Sequence, residues 1–216
     1  MKHKEKPIIA TTLSGLFVKH EPWDKAYILW YENMAKKLND NSVKQWIDRP
    51  DYFKGVDEVM KRLYPKLSDE DRTTKARELF FDSVVSYIKQ NKDVNNKEIS
   101  DYFKSLKTKY RIALITTNTE DAVSRILSVT YLDDLFDIIE CSLPEEKDDK
   151  RIVFSRFIEK YGKPLIYIGG GRKDSYDYCA EHDIPRVFAN LEGEKDIPGV
   201  RSIYTLNELE KRIERL

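Results

Sequence analysis

Hydrophobic and polar positions follow two different rhythms along this chain. Residues 7–12 (PIIATT) form a short apolar run that enters Leu13-Ser14-Gly15, which predicts a buried strand ending near Thr12 in a tight turn. From Glu21 to about Lys109 the spacing is helical. Trp23, Tyr27, Trp30 and Tyr31 share one face there, and Met34 and Leu38 continue it. Ser68 before Asp69, Glu70 and Asp71 has the composition of an N-cap and acidic first turn, opening a helix that carries Ala76, Leu79, Phe80, Val84 and Ile88. A further helix is expected from about Asn96 through Tyr102, Phe103 and Leu106.

Past Lys109 apolar runs and helical stretches alternate. The runs are Arg111 to Thr116, Asp137 to Cys141, Leu165 to Gly169 and Arg186 to Ala189; the helices are Glu120 to about Ser128, Lys150 to Tyr161 and one carrying Tyr176 and Cys179. Leu206, Leu209 and Ile213 share a face of a closing helix over 205–216. Strand alternating with helix predicts an α/β fold, a Rossmann-like doubly wound parallel sheet. Residues 1–20 and 106–216 would form that core, and 21–105 an all-helical insertion. An insertion placed just after the first strand is a candidate lid, because open α/β sheets bind ligands at the carboxyl ends of their strands.

Composition narrows the setting. A chain of 216 residues buries a core without covalent help. Cys141 and Cys179 lie far apart with no metal-ligand spacing, and read as reduced thiols. The N-terminal apolar run is too short for a signal or a membrane span, so a cytoplasmic protein with no membrane partner is expected. Lys plus Arg and Asp plus Glu both total 38, and the signs are interspersed, which gives nucleic acid no foothold. With 35% charged residues, and glutamine confined to Gln45 and Gln90, the surface leans toward that of a thermophile.

Five segments, in order, carry a family likeness. IIATTLSGLFV matches without gaps an apolar strand followed by DxDGTLV, with Gly15 fixing the register. IALITTNT is similar to a second motif ending in Thr or Ser, YLDDLFDIIECS to the stretch that follows it, and Lys150 ahead of RIVFSRFIEKYG fits a motif lysine better than Lys147 does. YIGGGRKD is similar to GDxxxD, and AEHDIPRVFA to the usual ending, with Asp183 at a common glycine position. Together they resemble the haloacid dehalogenase (HAD)-like hydrolase superfamily, with a helical cap inserted after the first motif.

The resemblance implies phosphatase chemistry and also its loss. The family's nucleophilic aspartate and its acid/base aspartate correspond to Thr12 and Ser14, and the first acid of the fourth motif to Gly170. A threonine hydroxyl is not ionised at neutral pH, and none of His3, His20 and His182 can be assigned as a base to activate it. Magnesium needs carboxylate oxygens, and only Asp174 is left to offer them. No metal or other cofactor is therefore expected unless hydrolysis has moved to other residues. With three acids gone, Thr12, Ser14, Thr117, Lys150 and the backbone of Gly169, Gly170 and Gly171 form a candidate site for a phosphorylated metabolite or inorganic anion.

Simpler roles stand beside these. The glycine run can be a strand-to-helix turn, Lys150 a solvated helix start, Asp174 a helix cap, Cys141 a buried thiol and the aromatic stripe the core of the insertion. Three functions follow: a non-hydrolytic pseudoenzyme that binds an anion; a hydrolase with a displaced site using Asp174, Asp177, Glu21 or Asp24; and a structural module whose pocket is vestigial and whose helical insertion forms a homo-oligomer or holds a protein partner.

Overall fold

The computed structural model describes residues 6–47, 52–146 and 148–216. They fall into two compact units: 6–19, 93–142 and 148–216 in one, and 20–47, 52–92 and 143–146 in the other.

The first unit is the α/β layer. Its strands are β1 (Ile8–Thr11), β2 (Arg111–Thr119), β3 (Ile138–Ser142), β4 (Ile166–Gly169), β5 (Arg186–Ala189) and β6 (Ser202–Ile203). They pair in parallel in the order β3-β2-β1-β4-β5-β6. The first strand thus lies inside the sheet, hydrogen-bonded to β2 on one edge and β4 on the other. Every residue of β1 is buried, as expected for a parallel strand covered on both faces. β6 has two residues, too few to leave an alternating pattern in the sequence.

The cluster on one face joins Ile8, Ala10, Ala113 and Ile115 to Val153, Phe154, Phe157, Tyr176 and Cys179. The last five come from helices α6 (Lys150–Tyr161) and α7 (Lys173–Glu181). Phe154 is fully buried, edge-on to Tyr167 at 5.1 Å and stacked on Tyr178 at the same spacing.

The second unit is all helical: α1 (Glu21–Leu38), α2 (Tyr52–Leu63) and α3 (Asp69–Gln90), with a 3₁₀ turn over Asn41–Trp46. Ser68 caps α3 by accepting from the Asp71 N–H. Trp30 and Tyr31 are buried in the core of this unit, their rings edge-on at 4.9 Å, and Tyr27 packs against it, so these three aromatics of the stripe are packing.

The compact units divide at Lys92 and Asp93 rather than at 105. Helix α4 (Lys97–Leu106) belongs to the α/β unit because Phe103, fully buried, packs edge-on to Phe17 at 5.0 Å in the turn after β1. The remaining helices of this unit are α5 (Glu120–Thr130) and α8 (Leu206–Ile213). Among the described residues no helix is long and apolar enough to cross a membrane.

Phe154→Ala should lower unfolding stability by about 3–5 kcal/mol, the usual cost of emptying a packed aromatic position. Urea titration followed by circular dichroism measures it, and a loss below about 1 kcal/mol would contradict this packing.

Candidate functional site

Register brings the candidate residues to one edge of the sheet. Thr11 pairs with Leu114 of β2 and with Ile168 of β4, so one step on Thr12 is flanked by Ile115 and Gly169. The turn that follows is closed by Gly15 at φ 76°, whose N–H donates to the Val18 carbonyl at 2.7 Å. A left-handed backbone there is the reason for glycine at that position. Ser14 forms a bridge with Val18 inside the same turn.

Thr117 reaches this edge through an irregularity in β2. Ile115 pairs with Glu140 and Thr119 with Ser142, so three intervening residues of β2 oppose one of β3. The bulge re-aims residues 116–118. The Thr116 hydroxyl accepts from the Asn118 N–H within it.

Lys150 opens α6, behind the N-cap Asp149, whose side chain accepts from the Arg151 N–H at 2.8 Å. Its side chain is not solvated at a helix start: it is 2% exposed and its ammonium donates to the Ile115 carbonyl, one strand over from Thr12. Burial, with the charge of Arg172 second, pulls its pKa down to about 7. Lys147 lies outside the described residues.

The triglycine turn is shaped by close approach. The glycines at positive φ among the described residues are Gly15, Gly162, Gly193 and Gly199, so the turn at 169–171 does not depend on left-handed backbone. A β-carbon at Gly169 would lie 2.6 Å from the hydroxyl oxygen of the buried Tyr167, and one at Gly171 would lie 2.5 Å from Oε2 of Glu194. The Tyr176 hydroxyl donates to the Gly170 carbonyl at 2.7 Å and fixes the turn from below. Asp183, by contrast, takes the left-handed conformation that glycine adopts most readily, at φ 54°.

Asp174 does not cap α7. The N-cap position is Arg172, no side chain caps the helix, and the Asp174 carboxylate pairs with the Arg172 guanidinium. Nε of Arg172 donates to both Asp174 carboxylate oxygens at 2.9 Å. Nη1 donates to Thr117 Oγ1 at 3.1 Å and Asp148 Oδ1 at 2.7 Å, and Nη2 to the Asp148 carbonyl at 3.0 Å and Asp174 Oδ2 at 2.8 Å. Burial opposes this charge, but the bonds and charges of Asp174 and Asp148 outweigh it and raise the pKa of Arg172.

Two residues of this edge escaped the sequence. Asp148 sits in the run EEKDD, which looks like any solvated loop, and Glu194 lies beyond the fourth motif. Glu194 is held by buried Asn190, which accepts from its N–H and donates to its carbonyl, each at 2.7 Å. Other candidates are engaged elsewhere. Glu21 accepts from the Tyr87 hydroxyl at 2.7 Å, Asp177 pairs with Lys173, and His182 stacks on Tyr178 at 3.9 Å. Burial, then the charges of Glu120 and Glu140, pushes the Cys141 thiol up to about 12, which leaves it unreactive at neutral pH.

The residues present do not fit magnesium. Positions 12, 14 and 170 bring no carboxylate, the Asp174 carboxylate is committed to Arg172, and among the described residues no group of three or more His, Cys, Asp or Glu is placed to hold a metal ion.

Replacing Lys150 gives a pH test of its burial. The unfolded chain holds the lysine proton up to about 10.5, the fold only up to about 7, so unfolding takes up a proton between them and stability from this group rises with pH. The melting temperature of the wild type minus that of Lys150→Met should therefore increase steadily from about pH 7 to about pH 10. A flat difference would mean that the ammonium is solvated.

No family model and no curated protein matches the chain. Solved structures do. A "predicted phosphatase" from Clostridium acetobutylicum is 18% identical, with a TM-score of 0.62 over 99% of this chain and 100% of that one. A hydrolase of the haloacid dehalogenase-like family from Streptococcus pneumoniae is 15% identical, with a TM-score of 0.62 over 98% of this chain and 99% of that one. Protein tyrosine kinase A from Mycobacterium tuberculosis is 16% identical, with a TM-score of 0.59 over 97% and 99%. At such identities the likeness shows an architecture. With its parallel sheet, its insertion after the first strand and a likeness that spans nearly the whole chain, this protein has the haloacid dehalogenase-like fold.

Proposed function

We propose that this protein is a non-hydrolytic member of its fold that holds a phosphorylated metabolite or inorganic anion at the carboxyl ends of β1, β2 and β4 without a metal. The observation that carries the proposal is the set of side chains at that edge: Thr12, Ser14 and Gly170 supply no carboxylate, while the buried amine of Lys150 is kept one strand away from Thr12. Without an ionised nucleophile, an acid/base partner or a metal ligand, the transferred group has nothing to attack it and nothing to stabilise its leaving oxygen. Members of a catalytic set act as a unit, so losing several removes nearly all turnover.

An anion suits what is left. Lys150 has three donors and spends one on Ile115, and an anion beside it would offset the burial that depresses its pKa. The opposite side of the edge is less hospitable, because the Glu194 carboxylate lies against Gly171. The anion is therefore expected on the side of Thr12, Ser14, Thr117 and Lys150. Glu194 is also the observation favouring a hydrolase with a displaced site, since it returns one acid to the neighbourhood of the fourth motif.

Two measurements decide between them. Purified protein with magnesium and a generic phosphate ester should show no turnover above buffer; turnover that Glu194→Gln abolishes would establish the hydrolase instead. In EDTA, sulfate should raise the melting temperature, more at about pH 6 than at about pH 8 because Lys150 binds it protonated, and Lys150→Met should remove the gain. No shift with sulfate or with a panel of phosphorylated metabolites would leave a vestigial pocket and a purely structural protein.

A further inference from the structure

Five oxygens converge on the Arg172 guanidinium: Thr117 Oγ1, Asp148 Oδ1, the Asp148 carbonyl and both carboxylate oxygens of Asp174. Carboxylate, carbonyl and hydroxyl oxygens are the hard ligands that divalent cations such as magnesium and calcium select. Here they come from three separate places in the chain: the bulge of β2, the loop before α6 and the first turn of α7. We infer that Arg172 is the resident cation of this site, its guanidinium filling an oxygen shell of the kind a divalent metal would occupy and tying together the three segments that the metal would otherwise join.

The donor count supports this. A guanidinium has five N–H groups, and the two on Nη1, the two on Nη2 and the one on Nε are all directed at these oxygens. None remains to grip a substrate anion, so Arg172 holds the scaffold while Lys150 is, among the described residues of this edge, the cation left for a ligand. A planar fork can span three partners at once, which the single point charge of lysine cannot. Asp148 and Asp174 bring two negative charges and Arg172 returns one; burial and the charge of Arg172 outweigh the pull of those carboxylates on Lys150. A divalent ion entering this shell would have to expel the guanidinium or meet its charge at contact distance.

This inference rests on the metal-free reading of the site but has its own readout, cation binding, which is independent of the sulfate shift. Calorimetry or paramagnetic resonance with Mn²⁺ on the full chain, and melting temperatures in EDTA and in Mn²⁺, test it. The wild type should bind no Mn²⁺ at this edge and should melt at the same temperature in both buffers. Arg172→Ala should melt lower in EDTA, since two carboxylates are left facing each other, and Mn²⁺ should restore part of the loss while binding roughly tenfold or more tighter than to the wild type. If the alanine variant does not fold, Arg172→Lys carries the test, with a lowered melting temperature and still no Mn²⁺ binding. Stoichiometric Mn²⁺ binding by the wild type would overturn the inference, and so would an Arg172→Ala protein that neither loses stability nor gains the ion. A failed sulfate shift beside the expected Mn²⁺ results would remove the anion reading and leave Arg172 as the resident cation.

Discussion

A parallel strand bonded on both edges and covered on both faces can meet solvent only at its end. β1 is in that position: its backbone is committed to β2 and β4 and all of its residues are buried. The end of β1 is therefore where this strand can meet a ligand; β4 stops one residue further on, and β2 continues past it through its bulge. Thr12, the bulge that carries Thr117, the triglycine turn and the amine of Lys150 are brought together by that constraint, although they are scattered over some 160 positions of sequence. The strand pairings that build the frame run through backbone atoms and do not depend on the side chains at its rim.

Much of the layer was legible in the sequence, because burial on both faces writes continuous apolar runs. The helix over Lys150–Tyr161 and the strand over Arg186–Ala189 have the bounds their patterns predict, and Ser68 caps α3 through the expected hydroxyl. Short or tertiary features were not legible. β6 has too few residues to show a period, and helix α4 reads as part of the insertion until Phe103 is seen against Phe17. At the candidate site the sequence shows that Thr12, Ser14 and Gly170 carry no carboxylate, and is silent on what surrounds them. Asp148 and Glu194 have nothing local to mark them, since their partners lie 24 and 23 positions away at Arg172 and Gly171. Lys150 could be read as a motif lysine or as a solvated helix start, and its 2% exposure and bond to the Ile115 carbonyl exclude the second.

Electrostatics at this edge work on two scales. Arg172 is charge-assisted on every nitrogen, and its partners raise its pKa despite burial; Lys150 donates to one neutral carbonyl, and burial outweighs the pull of the nearby carboxylates and lowers its own. Two cations a few residues' reach apart are thus in opposite states, one saturated and one under-satisfied. The under-satisfied one is the group whose energy can change when something arrives.

The chain leaves the α/β unit and returns to it through a narrow doorway. Lys19 N–H donates to the Val94 carbonyl at 2.8 Å, Asn96 N–H to the Phe17 carbonyl at 2.8 Å, and the Asn96 amide to the Leu16 carbonyl at 2.8 Å. Outgoing and incoming backbones are therefore stitched side by side before any helix of the inserted unit begins. Among the described residues no strand pairing uses a residue of 20–92, which makes the doorway a natural seam for swapping one insert for another.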